Sequence, residues 1–204
     1  IIVSYIRAHG RIIYNGNNYS KEWGEEAKRR GLHMTSNSLD AFKCMLDKDI
    51  VNLYERNGVL SEKELTSRYE IFVENYAKTV NIEALAMRNI ARKQILPAVM
   101  RTEGKLAAYL KDLREINQKF GAADERLLAE TDKLIDETER RTTDLEHALA
   151  KAKSMENFDK LAECYRDKVL VAMNRLRESV DKLELITEKK EWPFPSFGDI
   201  LFYE

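Results

Sequence analysis

The stretch from Ser61 to Phe120 constrains the fold of this chain more than any other. Apolar side chains recur there every three or four positions, and Pro97 and Gly104 are its only proline and glycine. This spacing predicts one very long helix, or two helices stacked end to end through a bend at Pro97. A helix of that length would span roughly 90 Å. It therefore needs packing partners along its whole length.

Composition narrows the classes of protein that fit such a helix. The chain has 204 residues, of which 44% are hydrophobic and 34% charged, with three prolines. Few prolines and few aromatic residues favour long helices over sheets. The net charge is -1 with both signs interspersed, so nothing indicates nucleic acid as a partner. The sequence contains no apolar run of about 18 residues, and we expect no membrane partner either.

The first residues suggest that the chain is a piece of a longer protein. It opens on Ile1, Ile2 and Val3, and the run IIVSYIRAHGRIIY already has helical spacing. Neither an initiator Met nor the charged region and cleavage site of a signal peptide is present. We therefore expect a fragment that begins inside an element.

Residues 1–60 carry the start and stop signals of several short helices. Gly10 weakens the first helix, whereas Ser20 caps the second and Gly31 ends it. The basic run of residues 28–30 before Gly31 could bind phosphate. Compensation of the helix dipole at a solvated C-terminus is the favoured interpretation.

A further helix follows in the same region. Asn37 or Ser38 is its predicted cap, a break is expected near Asp47, and Asn57-Gly58 ends it.

Residues 61–204 are predicted to form a bundle of long helices. Ser61 and Glu64 form a capping box at the start of the long helix, and Gly121 breaks it after Phe120. A seam with steps of three and four follows over 122–153, at Leu128, Thr131, Ile135, Thr138, Thr142, Leu145 and Leu149.

The last predicted helix starts at Asn157 or Ser154 and runs to about Lys190. Its apolar stripe slips between residues 169 and 173. Long helices joined by short breaks fold back antiparallel. The fold class predicted is all-α, an elongated antiparallel helical bundle of long helices with smaller N-terminal helices.

The aromatic end of the chain, residues 192–204, is predicted to leave the helix. Pro193 and Pro195 favour an extended path, and Trp192, Phe194 and Tyr203 are too large and apolar for a free tail. Such a tail docks in a groove of its own domain or of a neighbouring subunit, and its own domain is favoured.

No catalytic, cofactor-binding or metal-binding residue is predicted from the motifs. His9, His33 and His147 are scattered without an HxH or HExxH pair, and His147 is expected at the surface. Cys44 and Cys164 are expected to be small buried apolar residues rather than disulfide partners or metal ligands. Phosphate-binding loops and nucleophile elbows are missing from the sequence.

Polar residues intrude on the long helix between Ala77 and Gln94, at Asn81, Glu83 and Asn89. A solvated face is the default interpretation of this patch, and an interface or a site is the alternative.

Several stretches resemble one family. They are RIIYNGNNYSKEWGEEAKRRGL, SRYEIFVENYAKTVNIEALAM, QILPAVMRTEGKLA, RDKVLVAMNRLRESVDKLE and WPFPSFGDILF. In this order they resemble the C-terminal region of type III glutamine synthetases, with the Trp-Pro-x-Pro end and the Ile-Leu-Pro-Ala stretch the most distinctive.

The resemblance implies an activity for the full-length protein. Type III enzymes are cytoplasmic glutamate–ammonia ligases that use ATP and Mg²⁺ or Mn²⁺, pass through γ-glutamyl phosphate, and assemble as dodecamers of two hexameric rings. Their catalytic portions precede the region that resembles this chain, so no catalytic residue is carried over and no cofactor is expected in this fragment. The chain alone is then inactive and structural, or in contact with other subunits.

The expected partners are the upstream catalytic domain of the same chain and other subunits of a homo-oligomer. Residues 1–60 would continue from that catalytic domain, residues 77–94 are the place where a contact with it is expected, and Pro97 is a candidate joint. The alternative is a non-enzymatic helical adaptor or scaffold whose Thr-rich seam or aromatic tail binds another helix.

Overall fold

The computed structural model describes residues 1–195 and 197–202. It is 79% helical and contains no strand within those residues, which confirms the predicted all-α bundle. The chain divides into two compact units, a first unit Ile1–Tyr69 and a second unit Glu70–Glu204. The domain boundary suggested between residues 60 and 61 stays a prediction.

The first unit begins with the predicted short helices, although the first of them ends earlier than residue 14, the limit expected from the sequence. α1 spans Ile2–His9 and passes at Gly10 into a 3₁₀ turn, and α2 spans Lys21–Arg29. The Ser20 hydroxyl accepts a hydrogen bond from the Trp23 N–H at 3.4 Å, so it caps α2 as predicted.

Gly31 ends α2 in a left-handed conformation. Its φ is +67°, its N–H donates to the Lys28 carbonyl, and the Leu32 N–H donates to the Ala27 carbonyl. These two bonds form a Schellman motif, which satisfies carbonyls at the end of the helix.

The next helix is broken where the sequence suggested. α3 spans Ser38–Lys43 with Asn37 as its cap, a 3₁₀ turn covers Cys44–Leu46, and α4 spans Lys48–Arg56. Gly58, at a φ of +63°, closes α4.

The long helix is continuous from Glu62 to Ile116, with one wide turn inside it. α5 spans Glu62–Ile90, a π-helical turn (π1) spans Ala91–Ile95, and α6 spans Leu96–Ile116. The capping box is present, because the Ser61 N–H donates to the Glu64 carboxylate at 2.8 Å and the Glu64 N–H donates to the Ser61 hydroxyl at 3.4 Å.

The helix ends four residues before the predicted Phe120, so that boundary was wrong. Asn117 takes an extended conformation, and its side-chain oxygen accepts a hydrogen bond from the Lys119 N–H at 3.0 Å. This local bond competes with continued helix, as Asn side chains commonly do.

α7 spans Ala122–Lys153, and its N-cap is Gly121, which has a φ of +79°. Six of the seven predicted seam positions are buried and Leu128 is half-buried. The Thr131 and Thr142 hydroxyls donate to the carbonyls four residues earlier, of Leu127 and Thr138. These bonds satisfy the Thr131 and Thr142 hydroxyl groups inside the apolar seam.

The final long helix also contains a wide turn. α8 spans Phe158–Cys164 with Asn157 as its cap, a second π-helical turn (π2) spans Tyr165–Val169, and α9 spans Leu170–Ile186. π2 ends at Val169, where the predicted slip of the apolar stripe begins. The helix stops before the predicted Lys190, because Thr187 is extended and its hydroxyl donates to the Leu183 carbonyl at 2.6 Å.

The core of the second unit consists of two apolar clusters, and α7 packs between α6 and α9. The first cluster includes Ala84, Leu145, Leu149, Val169, Met173 and Leu176. The second includes Ile95, Leu96, Val99, Leu134, Ile135 and Leu183, with Trp192 packed against it.

The tail departs from the predicted extended path. α10, a short helix, spans Phe197–Leu201, and Asp199 in its first turn pairs with Lys189 at 2.6 Å. An acidic residue at this place complements the helix dipole, whereas the two prolines restrict only the segment before it. Trp192 packs against its own unit, as favoured, whereas Phe202 is mostly exposed. Tyr203 lies outside the described residues.

Candidate functional site

An apolar cavity of about 690 Å³ lies within the second unit. Its walls are the C-terminal half of α5 with π1, one face of α9, and the tail. The apolar lining consists of Ala86, Met87, Ile90, Ala91, Ile95, Met173, Leu176, Val180, Trp192, Phe194, Pro195 and Ile200. A cavity of this size and character suits an apolar group or side-chain cluster.

The rim of the cavity is acidic. Glu83 comes from α5, and Asp181 and Glu184 come from α9. Arg177 is the one basic residue in the described lining, and its Nε lies 3.5 Å from Asp181 Oδ2. Neither histidine, cysteine, serine nor threonine is present in that lining. The cavity therefore offers an apolar floor and carboxylates at its edge, which suits docking better than nucleophilic catalysis.

Arg92 of π1 forms an ionic anchor to α7. Its Nη2 lies 3.0 Å from Glu146 Oε2 and 3.2 Å from Thr143 Oγ1, and its Nη1 contacts the Glu139 carboxylate. Hydrogen bonds to Glu146 and then to Glu139 raise the pKa of the Arg92 guanidinium. The same contact lowers the pKa of Glu146 from its ordinary value. Charge therefore holds π1 against α7.

Tyr165 of π2 forms a second, buried anchor. Its hydroxyl donates to Asn81 Oδ1 of α5 at 3.0 Å, and burial raises the pKa of Tyr165. Asn81 belongs to the polar patch predicted between residues 77 and 94. The Asn81 side chain forms its hydrogen bond within the second unit, whereas Glu83 of the same patch lines the cavity.

Glu103 of α6 lies against two carboxylates of α7. Burial, followed by the negative charge of Asp132, raises the pKa of Glu103, and Asp136 adds to the effect. Sequence reasoning did not find this group, because its members are far apart in the chain and share no motif.

The basic run before Gly31 has a structural role. The Arg29 and Arg30 guanidinium groups hydrogen-bond the Glu26 carboxylate, and Arg29 and then Arg30 hold the pKa of Glu26 at about 2. Arg30 also donates to the Ile13 carbonyl at 2.6 Å and lies 5.6 Å from the centre of the Tyr14 ring.

The histidines and cysteines differ from one another in their surroundings. His147 is exposed on α7 and Cys164 is buried, as predicted. Both cysteines are free, but Cys44 is only half-buried and its Sγ lies 3.0 Å from His33 Nε2. Spacing in the sequence gave no sign that His33 and Cys44 meet.

Within the described residues, every helix is too short or too polar to cross a bilayer.

Comparison with known proteins places the chain in a family. Residues 1–114 match the family model of the glutamine synthetase C-terminal domain, and the chain belongs to this family. It is 33% identical to a glutamine synthetase of Butyrivibrio fibrisolvens, over 99% of this chain and 29% of that protein. It is 28% identical to the type-3 glutamine synthetase of Dictyostelium discoideum, over 99% of this chain and 28% of that protein. The chain thus spans less than a third of the length of these relatives.

Proposed function

We propose that this chain is the helical part of a glutamate–ammonia ligase, and that it docks on the remaining part of that enzyme. The whole protein would join ammonia to glutamate at the expense of ATP, giving glutamine, ADP and phosphate. Membership of the glutamine synthetase C-terminal domain family is the observation that carries this proposal. The same membership disfavours the adaptor alternative.

The apolar cavity does not suit ATP. The cavity has an apolar floor, and its rim sets three carboxylates against one guanidinium, which would repel a triphosphate. We assign ATP and the Mg²⁺ or Mn²⁺ ions to the part of the protein outside this chain. We propose that the whole enzyme is cytoplasmic and that it assembles as a homo-oligomer.

The cavity is the surface that we propose for docking. Its occupant would be an apolar segment of the rest of the same protein, flanked by a lysine or an arginine. The apolar lining supports an apolar occupant, and the acidic rim supports a lysine or an arginine beside it. The relatives supply the reason to expect such a segment, because more than two thirds of their length lies outside the matched region.

Activity tests the ligase assignment. The full-length protein is expected to form glutamine from glutamate, ammonia and ATP, and the 204-residue chain alone is expected to form none. A full-length protein without this activity, or an active isolated chain, would contradict the proposal.

A charge placed in the cavity tests the docking surface. Ala86 is an exposed α5 residue of the lining, so Ala86→Lys leaves the helix intact and adds a positive charge that repels the basic flank of the proposed occupant. We expect a lower melting temperature and faster proteolytic release of this region in the full-length protein. Ala129→Lys is the matched control, since Ala129 is exposed on α7 and lies outside the cavity lining. Equal behaviour of the two variants would rule out docking in this cavity.

A further inference from the structure

Three side chains with metal-binding atoms converge within the first unit. His33 Nε2 lies 3.0 Å from Cys44 Sγ, and ligand atoms of His33, Cys44 and Asp47 all lie within 4.8 Å of one another. None of these three residues lines the apolar cavity or takes part in the Arg92 or Tyr165 anchor. It combines a nitrogen, a sulfur and an oxygen donor.

Local backbone structure explains how the group forms. Cys44 opens the 3₁₀ turn before α4, and the Asp47 N–H donates to the Cys44 carbonyl at 3.2 Å. Side chains three residues apart eclipse in a 3₁₀ turn, so Cys44 and Asp47 share one side of it. His33 comes from the segment after the Gly31 stop of α2. Two separate segments therefore supply the three donors.

The Asp47 carboxylate is not used by its own helix. Asp47 occupies the N-cap position of α4, where an Asp side chain ordinarily accepts a backbone N–H, yet it makes no capping hydrogen bond. Its oxygens lie with His33 and Cys44 instead. Since His33 and Asp47 are exposed and Cys44 is half-buried, water can reach the group and complete a coordination shell.

We propose that His33, Cys44 and Asp47 bind one Zn²⁺ ion, with water as the fourth ligand. Imidazole and thiolate donors suit zinc, whereas Mg²⁺ and Ca²⁺ prefer sites made of oxygen alone. On binding, the Cys44 thiol releases its proton to solvent and the His33 nitrogen offers its lone pair. The nitrogen–sulfur distance would widen from 3.0 Å to about 3.6 Å in a tetrahedral shell.

Titration of the metal-free, reduced chain with Zn²⁺ alone tests this site. We expect one equivalent to bind, and Cys44→Ala and His33→Gln each to weaken binding by more than about tenfold, the cost typical of losing even an outer-shell partner. Titration with Co²⁺ gives a second readout, because thiolate–cobalt charge transfer absorbs in the near ultraviolet and carboxylates alone do not produce it. Asp47→Asn, at an exposed position, should weaken binding while keeping that band.

Cys164→Ala and His147→Gln are the matched controls, since both residues lie outside the group. They should bind Zn²⁺ as the unchanged chain does. The proposal is overturned if the chain keeps its helical circular dichroism but binds no Zn²⁺, if it gives no charge-transfer band, or if the controls lose as much affinity as the site variants.

Discussion

The second unit contains two π-helical turns, π1 at Ala91–Ile95 and π2 at Tyr165–Val169, and different interactions hold them in place. Each widens a long helix by one turn in which an N–H donates five residues back, from Leu96 to Ala91 and from Leu170 to Tyr165. Each also contacts α7. At π1 the anchoring side chain is charged and partly exposed, whereas at π2 it is a buried ring.

Sequence context explains part of this difference. Pro97 follows π1 and lacks an N–H, so it cannot make the α-helical bond to the carbonyl of residue 93. π2 has no proline, and packing of its buried residues Tyr165 and Val169 holds the wide turn. The stability of a turn held by charge should depend on salt and pH. The stability of a turn held by burial should instead fall when the volume of its buried side chain is reduced.

Truncation of the buried anchor should give the largest effect. We expect Tyr165→Ala to lower the free energy of unfolding by about 3 kcal/mol, because it removes a buried aromatic ring. Tyr165→Phe keeps the ring and loses only the bond to Asn81, so about 1 kcal/mol is expected. Urea unfolding followed by circular dichroism measures both. Equal losses would show that the hydrogen bond, and not burial, holds π2.

Removal of the charged anchor should cost less. Arg92→Met keeps an apolar stem and loses the ion pairs to Glu139 and Glu146, for about 1 kcal/mol after allowance for solvent screening. The loss should shrink in 1 M NaCl. Lys93→Met is the control, as an exposed residue of the same turn expected to stay within about 0.5 kcal/mol. A loss that does not depend on salt would contradict an ionic anchor.

Acidity should weaken the π1 anchor but not the π2 anchor. The pKa of Glu146 is below its ordinary 4.5 in the folded state, so its stabilising contribution is present above pH 4.5 and is lost as pH falls through the folded value. The stability difference between the unchanged chain and Glu146→Gln should therefore shrink below pH 4.5. Melting temperatures across pH measure it, with the exposed Glu130→Gln as control. A constant difference would oppose the proposed linkage.

The contribution of Glu103 to stability should depend on pH in the opposite direction. Its folded-state pKa is raised, so its contribution is favourable below the ordinary 4.5 and is lost as pH rises through the folded value. At pH 7 the charged carboxylate lies against Asp132 at a cost. We expect Glu103→Gln to raise stability at pH 7 by about 0.5 kcal/mol, and to show no gain at low pH. A destabilised variant at pH 7 would contradict this.

The helices and their caps were predictable because the signals are local. Ser20, Gly31 and the Ser61–Glu64 pair each act within a few residues. The second wide turn left a trace as the slip after Val169, and the first only through Pro97. The predicted helices run past the observed ends at Ile116 and Ile186, because residues typical of helices continue beyond both positions.

Contacts between helices could not be predicted in the same way. Arg92 and Glu146, or Tyr165 and Asn81, are distant in the chain, and their pairing depends on how α5, α7 and the final helix pack. The same holds for the apolar cavity, whose lining comes from three separate stretches. His33 and Cys44 lie 11 residues apart in the chain and meet only through the fold of the first unit.

Hydrogen exchange measured by mass spectrometry tests the central claim, that this chain docks on the rest of a ligase through its cavity. Peptides covering residues 83–91 and 177–184 line the cavity, and a peptide around Ala129 serves as an internal reference. We predict that both cavity peptides exchange more slowly in the full-length protein than in the isolated chain, while the reference peptide is unchanged. Equal exchange of the cavity peptides in the two samples would contradict the claim.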